Sequence, residues 1–295
     1  MAPDHGRLEL HRVGVTGVQK PLVVQRPDRA LTLTVSFSVA VDLPSTRKGS
    51  DLSRNAELLA EVVDWTAQNP VESLESACST IAKELLARHP YARDAEVRAE
   101  ALYFALRGIT VARQSLEDFH LFAEATARRS ADGTVTLERA IAAEAVGMTA
   151  CPCAMVTARE KLTREFPLLA DPSLAALPIV THNQRNRTRL TFELPEGTEV
   201  EVDRMLEAVE GAQSSPTYAI LKRGDEADVV LTAHRHPKFV EDVMRDLLAS
   251  LPARFASMPD ATGVRVLTVS EESIHKYDVT SSHRTTLGEL RAHAT

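Results

Sequence analysis

Two short segments carry the residue types that chemistry needs. Thr149-Ala150-Cys151-Pro152-Cys153 places two thiols either side of a proline. Thr181-His182-Asn183-Gln184-Arg185 places an imidazole at the head of a basic run that continues through Arg187 and Arg189. Thiolate and neutral imidazole are donors that divalent metals of borderline softness accept readily. The C-x-C spacing is not the C-x-x-C of a zinc ribbon or a thioredoxin-type site. Alternate residues of an extended segment point to opposite sides, so one thiol is the candidate ligand and the other has a different role. Spacing alone is equally compatible with two small buried thiols. The histidine and its arginines read either as a local anion site or as a solvated strand face.

Other candidates lie further along. Leu221-Lys222-Arg223-Gly224-Asp225-Glu226 sets two cations beside two carboxylates. Glu241 falls in the first turn of a helix opening after Pro237-Lys238-Phe239-Val240, where a carboxylate favours the helix dipole whatever else it does. His275, in Glu271-Glu272-Ser273-Ile274-His275-Lys276-Tyr277, is an acid/base candidate, and His234 and His236 read as surface residues. One Cys, one His and one Glu would together suit a catalytic zinc or iron site with an open position for water. Spacing does not select which three.

The elements that must position these groups are legible in outline. Leu31, Leu33, Val35, Phe37, Val39 and Val41 alternate with polar residues, which predicts a half-buried strand of an antiparallel sheet. Helices are expected over 55–68, with Leu58, Leu59, Val62 and Val63 on one side, and over 71–88, ended by Pro90. Strands are expected near 95–106, 116–127 and 134–148, the last after the Asp132-Gly133 turn. A short helix after Cys153 and an irregular stretch through Pro167, Pro172 and Pro178 follow. The second half then reads as a strand over 187–194, helical faces at Val202, Met205, Leu206 and Val209 and at Val240, Val243, Met244, Leu247 and Leu251, and a strand over 264–269. Each half reads roughly strand, strand, helix, helix, strand, strand, so the expected class is α+β with an internal repeat, residues 1–150 and 151–295. No Gly-rich nucleotide loop is present, so side chains would hold any phosphate.

Composition sets the outer bounds. With 295 residues, 44% hydrophobic and 25% charged, the chain can bury a sizeable core without staples. A net charge of −7 argues against a general nucleic-acid partner. No apolar run approaches the ~18 residues of a membrane span, and Met1–Arg7 lacks the apolar core of a secretion signal. Three cysteines, one of them remote at Cys78, are not a disulfide framework. The cytoplasm, where thiols stay free for metal, is the expected compartment.

These segments, in this order, resemble the type IB GTP cyclohydrolase family, and within it the archaeal-type metal-dependent branch. The similarity also takes in Arg12-Val13-Gly14-Val15-Thr16-Gly17-Val18, Val41-Asp42-Leu43-Pro44, Lys48-Gly49, Ser53-Arg54, Leu221-Lys222-Arg223, Asp225-Glu226, Pro237–Asp242 and Glu272-Ser273-Ile274-His275. The resemblance implies a duplicated tunnelling fold (T-fold), antiparallel sheets with helix pairs on one face. It implies a homotetramer with active sites at subunit interfaces. It implies one divalent metal per subunit, iron(II) first, with zinc or manganese(II) as alternatives, held by Cys151, His182 and Glu226. Glu241 would then clamp guanine and His275 would shuttle protons. Cys153 would stand beside the metal site, and Gln184, Arg185, Arg187, Arg47, Lys48 and Arg54 would contact the nucleotide. The implied reaction opens the imidazole ring of GTP at C8 and releases formate. It yields a dihydroneopterin phosphate, triphosphate or cyclic, for pterin and folate-type biosynthesis.

Two departures bear on the substrate. Asp51 stands in Lys48-Gly49-Ser50-Asp51-Leu52-Ser53-Arg54 where the family has a histidine, and a carboxylate there repels a triphosphate unless it is paired. Tyr277 replaces a second histidine. They keep open a paralogue acting on another purine nucleotide, beside a non-catalytic purine- or pterin-binding protein and a covalent role for Cys151.

Overall fold

Alternating apolar residues form the strand pair at the start of the chain. In the computed structural model, which describes residues 8–26, 30–110 and 113–293, β1 (Leu10–Gln25) pairs antiparallel with β2 (Ala30–Leu43), Leu22 facing Leu33 and Val15 facing Val39. Met1–Arg7, where a secretion signal is not expected, lies outside the described residues, as does the Val63 side chain. β2 turns Val35, Phe37, Val39 and Val41 inward, all buried, as its alternation requires. It pairs antiparallel with β3 (Asp94–Thr110), Val39 facing Val97. β4 (Arg113–Arg129) and β5 (Val135–Ala150) continue the order β1-β2-β3-β4-β5.

The described residues fall into two compact units. The first takes in the chain up to Tyr103, with His120–Ala142 and Glu193–Gly197. Its helices are α1 (Leu52–Gln68) and α2 (Leu74–Arg88). Leu58 and Leu59 from α1 and Ile81, Leu85 and Leu86 from α2 are buried with the inward face of β2. α2 begins three residues later than the sequence suggests. Val71 is held extended against β1, its N–H donating to Val23 O at 3.0 Å and its carbonyl accepting from Gln25 N at 2.7 Å. Ser73 and Ser76 then exchange side-chain to backbone hydrogen bonds, both 3.1 Å, that satisfy the open N–H groups of the first turn. Cys78 lies fully buried in α2, and burial pushes its thiol pKa up, so it stays protonated and inert.

The second unit comprises Phe104–Phe119, Ala143–Phe192 and the chain from Thr198 onward. Its strands run in the order β5, β6 (Asn183–Glu193), β8 (Gly263–Ser270), β9 (Val279–Thr286), with the two-residue β7 (Ser215–Pro216) on β5. Its helices are α3 (Pro152–Glu165), α4 (Val202–Ala212), α5 (Arg223–Arg235), α6 (Val240–Arg254) and α7 (Leu287–His293). Met205, Leu206 and Val209 of α4 and Val243, Leu247 and Leu251 of α6 are buried, as are Leu190, Phe192, Val264 and Val266 of the strands. Phe192 meets Phe255 edge to face, centroids 4.8 Å apart. Among the described residues no helix is long and apolar enough to cross a membrane.

Candidate active site

Cys151 sits where β5 ends and α3 begins. It is the N-cap of α3, and its sulfur accepts from Ala154 N at 3.5 Å. Pro152 follows at the first helical position, which suits its fixed φ and missing N–H. Cys151 N donates to His182 O at 3.1 Å, and Thr181 Oγ1 donates to Cys151 O at 2.7 Å. The two sequence motifs are thus joined main chain to main chain. Two further main-chain hydrogen bonds bring in other candidate segments. Lys238 N donates to Ala150 O at 3.0 Å, which sets the entry to α6 beside the cysteine turn, and Glu271 N donates to Arg185 O at 2.9 Å.

Among the described residues, the His182 ring is held through Nδ1. Its Nδ1 lies 2.9 Å from Gln184 Oε1 and 3.8 Å from Glu272 Oε2. The Gln184 amide nitrogen lies 3.2 Å from Thr149 Oγ1, 3.3 Å from Ser270 Oγ and 3.2 Å from Glu272 Oε1. Ser270 Oγ also donates to Glu272 Oε1 at 2.8 Å. Behind this group the inner face of β6 is polar and buried. Asn186 Nδ2 reaches Gln213 Oε1 at 2.9 Å and Thr268 Oγ1 at 2.9 Å, and Gln213 Nε2 donates to Thr188 Oγ1 at 3.0 Å. Gly147 lets Gln213 approach: a Cβ there would stand 2.3 Å from Gln213 Cγ.

The remaining candidates are placed as follows. Glu226 is exposed in the first turn of α5, where Asp225 Oδ2 accepts from Lys222 N at 3.1 Å. Glu241 is exposed in the first turn of α6, next to Asp242, whose carboxylate caps that helix at Phe239 N. His275 is exposed and stacks on Tyr277, ring centroids 5.0 Å apart. Cys153 is exposed. His234 and His236 bond back to carbonyls of their own helix end at 2.8 and 3.0 Å, which satisfies the last turn of α5.

Arginines of the outer face of β6 divide into two kinds. Arg185 is exposed. Arg187 pairs with Glu271 at 3.1 Å and Glu144 at 3.5 Å, and the Glu271 hydrogen bond raises its pKa further above the ordinary value. Arg189 pairs with Glu144 at 2.8 Å. In the first unit, Asp51 is paired with Arg47 at 3.4 Å and Arg54 at 3.2 Å, which offsets the repulsion that an isolated carboxylate would bring to that loop. The Arg47 guanidinium also lies over the Tyr91 ring, 4.1 Å from its centroid, and Lys48 is exposed.

Sequence reasoning missed the roles of Thr149, Ser270 and Glu272 around Gln184. Glu272 lies in a recognised segment, but its hydrogen bond with Gln184 spans 88 residues, and no local pattern announces such a pair.

The donor chemistry fits a divalent metal. Cys151 offers a soft sulfur, and the side of the His182 ring away from Gln184 offers a nitrogen. Among the described residues, no three His, Cys, Asp or Glu side chains of the single chain gather closely enough to hold an ion by themselves.

Comparison with known proteins adds the following. The family described as "Type I GTP cyclohydrolase folE2" matches residues 1–281. The chain is 39% identical to GTP cyclohydrolase MptA of Methanococcoides burtonii over 292 residues, 96% of this chain and 92% of that one. It is 38% identical to GTP cyclohydrolase MptA of Methanothermobacter thermautotrophicus over 291 residues, 96% of this chain and 91% of that one. Among solved structures it resembles the uricase of Arthrobacter globiformis, with TM-score 0.56 at 9% identity, covering 94% of this chain and 93% of that one. The uricase from Bacillus fastidious gives TM-score 0.55 at 10% identity, with 95% of each chain covered. At such identity these likenesses speak to the fold alone, and the architecture they share is the T-fold.

Proposed function

The chain belongs to the type I GTP cyclohydrolase folE2 family, and from that membership we propose that it is a metal-dependent GTP cyclohydrolase that opens the guanine imidazole ring at C8. The observation that carries the reading is the convergence of the family's separate motifs. Main-chain hydrogen bonds join the turn at Cys151 to His182 and to the entry of α6, and join Arg185 to the segment that leads to His275.

Cys151 and His182 would hold the metal, with Glu226 as third ligand. A divalent ion bound there supplies Lewis acidity that makes water nucleophilic near neutral pH. The ligand types suit iron(II), zinc and manganese(II) alike. The Glu241 carboxylate, an acceptor with two oxygens, matches the paired N–H donors on the guanine edge and would fix the base. Water adds at C8, His275 gives a proton to the ring nitrogen as the C8–N bond breaks, and a second water releases C8 as formate. Rearrangement and reclosure of the remaining diaminopyrimidine give a dihydroneopterin phosphate. Cys153, at the first turn of α3, would stand beside the metal site. Arg185, exposed on the outer face of β6, and Gln184, Arg187, Arg47, Lys48 and Arg54 are the proposed nucleotide contacts. We further propose the cytoplasm as compartment, 1–150 and 151–295 as the two T-fold halves, and a homotetramer whose subunit interfaces complete the sites.

The test is direct. Purified chain is loaded anaerobically with iron(II), manganese(II) or zinc and incubated with GTP. Formate and a pterin that fluoresces after oxidation are expected, with mass spectrometry distinguishing the triphosphate from the cyclic phosphate. No formate with any of the three metals overturns the reading.

A further inference from the structure

We propose that Gln184 and Glu272 form a positioning pair that sets the tautomer of His182, so that Nε2 is an open lone pair before any metal arrives. The inference rests on the reading of His182 as a metal ligand and deepens it. A neutral imidazole carries one proton, and which nitrogen holds it decides which nitrogen can bind a cation. Nδ1 stands 2.9 Å from Gln184 Oε1. An amide oxygen only accepts, so this contact requires the proton on Nδ1.

The surroundings of the Gln184 amide fix which way it points. Its nitrogen lies 3.2 Å from Glu272 Oε1, and an ionised carboxylate accepts only. Turning the amide over would press its oxygen against that carboxylate at 3.2 Å, acceptor against acceptor, which is repulsive whichever ring nitrogen carries the proton. Glu272 is itself held, because Ser270 Oγ donates to the same Oε1 at 2.8 Å. Its other oxygen, 3.8 Å from Nδ1, adds negative charge on the protonated side of the ring. The His182 and Glu272 side chains are only 13% and 10% exposed, so water competes little for these bonds. A free neutral histidine side chain in water favours the opposite tautomer, with the proton on Nε2. The pair therefore reverses the intrinsic preference and prepares the ring as a donor. Thr149 at the end of β5, Gln184 on β6, Ser270 at the end of β8 and Glu272 just beyond it all contribute, so the lock is a property of the sheet end rather than of one loop. Partners of this kind on ligating histidines are commonly worth ~10–100-fold in metal affinity.

The test reads the ring first and the metal second. Metal-free full-length chain labelled with 15N-histidine is examined by long-range 1H–15N correlation, with His182 assigned from its loss in His182→Asn. The wild type is expected to show the proton on Nδ1. Gln184→Met and Glu272→Ala are expected to shift it toward Nε2 and to weaken zinc affinity, measured against a chromophoric chelator, by ~10–100-fold. Combining Gln184→Glu with Glu272→Gln re-creates an acceptor for Nδ1–H and a donor to that acceptor, and is expected to restore tautomer and affinity to within a few-fold. A structural role alone would give no such rescue. An Nε2–H ring in the wild type overturns the proposal. So do a Gln184→Met chain that keeps both tautomer and affinity, and a folded double variant that fails to recover. None of these measurements uses GTP, so failure of the lock and failure of the cyclohydrolase reading are separate results.

Discussion

The absence of a side chain at Gly147 matters as much as any functional group. Gln213 occupies the space a Cβ would need, and Gln213 is 5% exposed with both ends of its amide bonded to Asn186 and Thr188. It cannot move aside without leaving buried polar groups unsatisfied. Gly147→Ala should therefore cost ~1–3 kcal/mol by overpacking, read as a lower urea midpoint at unchanged slope. An unchanged midpoint would mean that the Gln213 network tolerates displacement. The same network shows why part of the site was hard to read from sequence. Gln184, Asn186 and Thr188 are polar residues on one face of a strand, and such a face reads as solvated. Here it is the buried face, and the arginines between them face out. Alternation revealed the strand, but which side was inside depended on partners such as Thr268, 82 residues from Asn186.

At the level of elements, the strongly patterned ones were legible and the weakly patterned ones were not. β2 alternates cleanly and α6 carries a full apolar stripe, so both follow from period alone. α5 was not anticipated, since among its residues only Asp225, Val229 and Ala233 are buried. β9 reads Val-Thr-Ser-Ser-His-Arg-Thr-Thr and is paired through its backbone to β8 with little apolar burial of its own. The segment after α2 carries a pH consequence. His89 is fully buried, with Nε2 2.8 Å from Asn55 Oδ1 and Nδ1 2.9 Å from Tyr91 Oη. Burial lowers its pKa below the ordinary 6.5, Arg54 and Arg47 push the same way, and Asp51 opposes them. The folded ring stays neutral where the unfolded chain already binds a proton. The stability it carries is thus present above the ordinary value and declines as pH falls below it toward the folded value. The first unit should consequently be easier to open at about pH 5.5 than at about pH 7.5, seen as smaller amide protection factors in α1 and α2 once exchange is referred to the intrinsic rate at each pH. His89→Gln should flatten that dependence, and an equally steep slope in this variant would assign it to other groups.

For the whole molecule, the T-fold core and the proposed metal site draw on different residues. The interior of each unit is built from aliphatic side chains and Phe192 or Phe37, whereas Cys151 and His182 lie at strand ends and are half-buried. Removing the metal should therefore abolish formate release yet leave far-UV circular dichroism unchanged, and adding iron(II), manganese(II) or zinc should restore turnover. Collapse of the secondary structure on chelation would instead make the metal part of the fold. Cys151 occupies a position with two claims on it. As the N-cap of α3 it offers a sulfur 3.5 Å from the Ala154 N–H, where serine is a preferred residue and would make a shorter bond. A screen that rewarded heat resistance alone would drift toward serine at this turn and discard the thiol without disturbing the architecture. With Cys151 as the proposed metal ligand, thermal robustness and chemistry pull in opposite directions at this one atom, so a stabilised descendant of this chain should be sequenced at position 151 before its activity is trusted.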